Sequence, residues 1–272
     1  FRPGSLDLWK GNKAISQPGT WRRIEAMRFV TYTHSKLKDI WPIYIDRLNK
    51  FAPGIPNVFF CDQPVLNQPT VIYDDNQPYS QHYAKCLKSI DDKYVIYMQE
   101  DFILYNHIDT KKIESYAKIL DSHYDVDYIR LIKCGFVGET KFADTLYEVQ
   151  NPELDPIIST YSMQPTIWKR DRLVSVYDDS NAQKVFNEYA MYQGIVKNGI
   201  VGLYHYDQER VIGDHCDSKV FPYIATALVK GKWNIHEYTK ELNEVAREYN
   251  VDLTVRGFYE KIKKDEENET NK

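Results

Sequence analysis

The chain has no glycine-rich phosphate loop: none of its 12 glycines falls into GxGxxG or GxxxxGK[ST] spacing. That argues against a dinucleotide enzyme and a P-loop kinase. Positive charge is not in excess either. The 35 Lys and Arg are outnumbered by 39 Asp and Glu, for a net charge of −4, so the basic field that nucleic-acid binding requires is missing. The four cysteines, Cys61, Cys86, Cys134 and Cys216, are widely spaced and form no CxxC pair. This argues against structural zinc and a disulfide framework. No apolar run approaches the length of a membrane span, and the first residues carry no charged-then-apolar leader. The expectation is a soluble, reduced, cytoplasmic protein with no integral membrane segment.

What is abundant is apolar and aromatic. Of 272 residues, 43% are hydrophobic, enough to bury a large core in one α/β domain. The 22 Tyr, 11 Phe and 5 Trp are mostly packing, but such rings also suit the apolar faces of sugars.

The first half alternates strand and helix patterns. Met27 to Thr33 reads as a strand, Ser35 caps a helix running through Leu48, and Asn57 to Cys61 is a second strand closing on Asp62. A short strand from Thr70 to Tyr73 ends on Asp74 and Asp75. Helices over Ser80 to Ile90 and Thr110 to Ser122 flank a strand beginning at Tyr94, and Tyr128 to Ile132 follows. Such alternation predicts a mostly parallel central sheet with helices on both faces, a Rossmann-like α/β class. The second half is turn-rich from Phe136 to Tyr161. Gln164 to Asp171 leads into a helix, Ala182 to Lys197 forms another, and Gly199 to Tyr206 is a strand. After Pro222 the chain reads as helical or irregular, ending in a helix from Ile235 to Tyr249. Residues 1–24 read as an irregular arm, 25–260 as one domain, and 261–272 as a charged, solvated tail.

The most informative stretch is Tyr94-Val-Ile-Tyr-Met-Gln-Glu-Asp-Phe-Ile-Leu104. A run of β-formers ends on two adjacent carboxylates, Glu100 and Asp101, then turns apolar again. Ligands of open α/β sheets bind at the carboxyl ends of the strands. Paired carboxylates there suit Mg²⁺ or Mn²⁺, which prefer oxygen ligands. A metal so held would neutralise charge on a leaving diphosphate. Thr31, Thr33, Asp62, Asp74 and Asp75 also fall at or just past strand ends, where a nucleoside would sit, although each residue type also forms turns.

The succession TYTHSKLKDIWPIYIDRLNKFAP, YVIYMQEDFIL, MQPTIWKRDRL and FPYIATALVKGKW resembles small glycosyltransferases of the GT-A fold, found in bacterial surface-polysaccharide clusters and large DNA viruses. The resemblance runs from Arg28 to about Trp233. It implies a nucleotide-sugar donor (a UDP- or GDP-sugar), a divalent metal and a glycan acceptor, in a bacterial or virus-infected cytoplasm. Residues 25–135 would form the donor half and 136–260 the acceptor half. The acidic block departs from a strict DxD, since Gln99 takes its first place. In the resembling proteins the QPxIWxRD block lies beside the cleft and a helix bearing an acid follows. Gln164, Trp168 and Asp171 match the block, and Glu188 matches the acid. Glu188 is thus the candidate base of an inverting transfer, with Asp101 acting on the leaving group. Trp168 is read either as core or as a platform for the acceptor sugar, and Asp171 as a helix cap. His215, in a polar loop between Gly213 and Asp217, is a candidate further metal ligand. Lys230 and Lys232, flanking Gly231, are candidates to close over the diphosphate. Two alternatives remain: a nucleotidyltransferase that builds nucleotide sugars, though Thr33-His-Ser-Lys36 lacks the glycines of its usual loop, and a non-catalytic sugar- or nucleotide-binding protein of the same fold.

Overall fold

The computed structural model describes residues 27–135, 137–149, 162–179, 188–213 and 215–260, without the side chains of 179 and 188–190. The expected arm and tail, and half of the turn-rich stretch between 136 and 161, lie outside the described residues. In the first half β1 (Met27–Tyr32), α1 (Trp41–Phe51), β2 (Asn57–Cys61), β3 (Thr70–Ile72), α2 (Tyr79–Lys88) and β4 (Tyr94–Gln99) follow one another. Then come β5 (Ile103–Leu104), α3 (Thr110–Ser122), β6 (Tyr128–Arg130), β7 (Lys141–Ala143) and β8 (Leu146–Glu148). The remainder comprises β9 (Thr166–Lys169), α4 (Arg170–Asp179), α5 (Glu188–Lys197), β10 (Gly202–His205), β11 (Val211–Ile212), β12 (His215–Cys216), β13 (Tyr223–Ile224), β14 (Leu228–Val229), β15 (Lys232–Trp233) and α6 (Thr239–Tyr249).

Nine of these strands form one sheet in the order β3-β2-β1-β4-β9-β6-β10-β8-β7. The first four run parallel. β9 is inserted antiparallel between β4 and β6, and β10 is parallel to β6, so β4, β6 and β10 all point the same way. The chain is therefore α/β with a largely parallel central sheet, as its alternation of elements implies. Strand β1 shows why both faces are covered. Successive side chains of a strand point to opposite sides: Thr31 reaches Tyr44 of α1, whereas Tyr32 packs against Tyr79, His82 and Tyr83 of α2. Helices α1 and α2 consequently lie on opposite faces. Strand β4, flanked by β1 and β9, is buried from Tyr94 to Met98, which is why its sequence is a continuous apolar run rather than an alternation.

Three local expectations are corrected. The single helix from Ser35 is split into a 3-10 turn at Ser35–Leu37 and α1, which starts at Trp41 with Pro42 in its first turn, where its missing N–H costs nothing. The QPTIWKRD stretch contributes a sheet strand, β9, before its helix. The region after Pro222 forms short β-ribbons: β13 pairs with β5, and β14 with β15.

Close packing of the second half depends on glycine. A Cβ at Gly202 would fall 1.9 Å from the Tyr128 ring, which itself packs on Trp168 with centroids 4.3 Å apart. Gly202→Ala is expected to destabilise the protein by about 1–3 kcal/mol through overpacking, read as a lower urea midpoint at unchanged slope. An unaltered midpoint would show that the Tyr128–Trp168 stack gives way freely.

Candidate functional site at the switch point of the sheet

Strand order reverses between β1 and β4: β2 and β3 extend from β1 in one direction, and the later strands extend from β4 in the other. In an open α/β sheet that reversal opens a crevice at the carboxyl ends of the two strands. Tyr32 is in register with Gln99, so the next residues, Thr33 and Glu100, flank the crevice, followed by Asp101. Both carboxylates are buried, 7% and 8% exposed, a costly state for anions without a counter-charge.

The hydrogen bonds around Glu100 are directional. Trp41 Nε1 donates to Thr33 Oγ1 at 2.8 Å, which leaves the threonine proton free for the Glu100 side chain that Thr33 bonds. Burial, reinforced by the neighbouring Asp101 charge, pushes the Glu100 carboxyl well above its usual range, with Thr33 and the Arg256 charge pulling the other way. Burial likewise raises Asp101, against the backbone N–H of Leu228 that bonds its carboxylate. The backbone carbonyl of Asp101 accepts from Ala227 N at 3.2 Å. The acidic pair is thus fastened to the strand leading into the β14–β15 hairpin. Lys230 and Gly231 form the two-residue turn of that hairpin with φ of +51° and +77°, the left-handed pair of a tight hairpin.

The hairpin lysines, Lys230 and Lys232, are exposed on a ribbon rooted at Asp101. Gln164 is also brought to the crevice. It lies just before β9, whose Thr166 pairs with Tyr97, and its Oε1 accepts from the Tyr223 hydroxyl. Nothing in the sequence pattern singles out Tyr223, which lies on β13. Burial first, then the neighbouring Tyr238, Cys134 and Asp101, keep its phenol protonated and so able to donate to Gln164.

Other candidates have structural partners. Thr31 is fully buried, its hydroxyl placed between Tyr44 at 2.7 Å and Asn57 at 2.9 Å. Trp168 is 5% exposed and packed on Tyr128, a core position rather than a surface platform. Asp171 lies in the first turn of α4, where a carboxylate complements the helix dipole. Asp62 accepts from Ser35 N at 2.7 Å and Ser35 Oγ at 2.6 Å. Burial opposes its ionisation, but these bonds outweigh it and hold the carboxyl below its usual range. His34 stands between Asp62 and Asp75, its Nε2 3.2 Å from Asp75 Oδ2. Asp74 accepts from the backbone and side chain of Asn76 in a local turn. These acids ring the ends of β1 to β3 without entering the switch point. His215 lies on β12, bridged to Cys134 beyond the end of β6. Among the described residues no group of three or more His, Cys, Asp or Glu is arranged to hold a metal, so His215 does not complete a cluster with the acidic pair. Glu188 lies on α5, and its side chain lies outside the described residues.

No family model matches the chain, and no curated protein matches its sequence. Solved structures with a similar fold include TarS 1–349 of S. aureus in complex with UDP (14% identity, TM-score 0.44, covering 85% of this chain and 68% of that one). Another is the mannosyltransferase PcManGT from Pyrobaculum calidifontis in complex with GDP-Man and Mn²⁺ (10% identity, TM-score 0.43, 67% and 55%). A third is a CMP:2-keto-3-deoxy-manno-octonic acid synthetase complexed with CTP (11% identity, TM-score 0.43, 65% and 88%). Identities and scores this low carry no argument about chemistry, which rests on the residues at the switch point. No helix among the described residues is long and apolar enough to cross a membrane.

Proposed function

We propose that this chain is a nucleotide-sugar-dependent glycosyltransferase that transfers a sugar from a UDP- or GDP-linked donor to a glycan hydroxyl. The observation that carries the reading is the buried Glu100–Asp101 pair at the switch point, tied through Ala227 and Leu228 to a lysine-bearing hairpin. Two adjacent buried carboxylates, each pushed by burial toward the protonated form, suit a cation. A hard divalent ion that takes one or two carboxylates and completes its shell with phosphate oxygens and water fits this donor set. Glu100 and Asp101 would hold Mn²⁺ or Mg²⁺, whose Lewis acidity favours departure of the nucleoside diphosphate.

The chain's own groups supply the rest. Thr33, oriented by Trp41, holds Glu100 in place. Lys230 and Lys232 offer mobile positive charge to the diphosphate. Gln164, held by Tyr223, presents an amide at the acceptor side of the crevice. Glu188 takes the proton of the attacking hydroxyl. A nucleotidyltransferase would use the same acidic pair. It is disfavoured here because the loop after β1 is a 3-10 turn whose first N–H is taken by Asp62, not an open glycine loop that wraps a triphosphate.

Thermal unfolding against UDP, GDP, CDP and their sugars, each with Mn²⁺ or chelator, tests this reading. A ligand bound only by the folded state at a hundredfold excess over Kd adds about 2.7 kcal/mol. A metal-dependent rise with UDP or GDP is expected. No shift with any nucleotide in either condition would sink the transferase and favour a sugar-binding protein.

A further inference from the structure

Arg256 is the strongest feature of the crevice that the reading above leaves unused. It lies in the segment after α6, which runs beside the hairpin: Trp233 N donates to Gly257 O at 3.0 Å, and Tyr259 N to Trp233 O at 2.9 Å. The guanidinium makes three contacts. Its Nη1 donates to Gly231 O at 2.9 Å, in the turn between the two lysines. Its Nε donates to Asp39 Oδ2 at 2.8 Å, and its Nη2 to Asp39 Oδ1. The last two form a fork on a carboxylate, the geometry with which arginine equally grips a phosphate.

The partners differ in commitment. The Arg256 side chain is 17% exposed and that of Asp39 56%, so the guanidinium is fixed and the carboxylate stands in solvent at its mouth. An ion pair so exposed on one side contributes little stability and can be exchanged for another anion. Lys230 and Lys232 sit exposed on either side of the same turn, and among the described residues neither makes an ion pair. Lys230 holds a left-handed φ of +51° as the first residue of that turn. Three cations thus converge on one turn against one exposed carboxylate, and the turn is rooted at Asp101. The Arg256 charge acts on Glu100, lowering its carboxyl against the effect of burial.

We propose that Arg256, with Lys230 and Lys232, is a phosphate-binding fork, and that Asp39 is an internal stand-in anion that a diphosphate displaces. The proposal rests on the nucleotide-sugar reading for the identity of its ligand but not for its chemistry. Asp39, on the loop after β1, then acts as a gate: while it holds the fork the turn is neutralised, and its release frees the guanidinium for a phosphate oxygen.

The test is calorimetric titration of inorganic pyrophosphate, in chelator, into wild type, Asp39→Asn, Arg256→Gln and Arg256→Lys. Asp39→Asn and Arg256→Gln break the same ion pair, so loosening of the fold affects both alike. The proposal expects opposite effects on affinity: about tenfold tighter for Asp39→Asn, equivalent to ~1.4 kcal/mol, and at least tenfold weaker for Arg256→Gln. Arg256→Lys, which keeps the charge but loses the fork, should be weaker too. Asp39→Asn binding no better than wild type, or Arg256→Gln binding equally well, overturns the proposal. So does the absence of millimolar pyrophosphate binding by both wild type and Asp39→Asn. Parallel titrations with UDP and GDP plus Mn²⁺ separate the two readings. Nucleotide binding unchanged across the variants sinks the fork and leaves the transferase. The expected pyrophosphate pattern without nucleotide binding upholds the fork and sinks the transferase.

Discussion

Asp101→Asn will cut nucleotide-sugar turnover by about 10²-fold or more, yet raise the melting temperature of the metal-free protein at pH 8. Both effects come from the burial of the same carboxylate. In the folded chain burial raises Glu100 and Asp101 above the ordinary carboxylate range, so the native state holds their protons more tightly than the unfolded state. The stability those protons confer is complete below the ordinary carboxylate range and is lost as pH rises through the elevated folded-state values. At pH 8 the metal-free wild type must hold negative charge on this pair in a buried crevice. Asparagine keeps the shape and removes one charge, relieving on the order of 1–3 kcal/mol, or several degrees. Wild type should accordingly melt higher at pH 5 than at pH 8 in chelator, and the variant should show a smaller difference. Mn²⁺ should invert the ranking, since wild type offers the ion two carboxylates and the variant only one. Melting curves at the two pH values with and without Mn²⁺, beside a turnover assay, check all of this. A variant that melts like wild type at pH 8 and keeps full turnover would leave Asp101 without a role.

The residues that sequence could reveal are those whose signal is local. Strand β4 is buried on both faces, so its apolar run was legible, and the two carboxylates beyond it stood out against it. The Lys230–Gly231 turn was legible because two lysines flanking one glycine form a compact pattern. Strand β9 was not, because four residues carry no usable period and the helix after them dominates the stretch. The short strands after Pro222 owe their existence to partners far away: Tyr223 pairs with Leu104, and Trp233 with the segment at Gly257. Asp39 and Arg256 stand 217 positions apart, and nothing in the pattern around either announces the other. Thr31 and Trp168 were ambiguous in sequence: a strand-end threonine and a matched-block tryptophan suit either ligand contact or packing, and the fold sets Tyr44 and Asn57 against the one and Tyr128 against the other.

On the proposed glycosyltransferase reading, Glu188→Gln is the variant that tests how the sugar is transferred. Glu188 stands on α5, which is described over Glu188–Lys197. The helix is firmly seated. A Cβ at Gly194 would lie 2.2 Å from the Val176 carbonyl oxygen, so α5 rests on α4 in direct backbone contact. Helix α4 follows β9 without a break, and the residues entering β9 include Gln164, bonded to Tyr223 at the crevice. The backbone of α5, which carries Glu188, is therefore set by packed elements. Loss of a general base lowers a rate by about 10²–10⁴, so Glu188→Gln should reduce kcat for transfer by that factor. The metal-dependent nucleotide shift in melting temperature should stay as in wild type. Gly194→Ala is the contrasting variant: by pushing α5 off α4 it should lower stability and kcat together. Transfer by Glu188→Gln within a few-fold of wild type would place the base elsewhere and favour a retaining mechanism, in which the leaving diphosphate itself takes the proton.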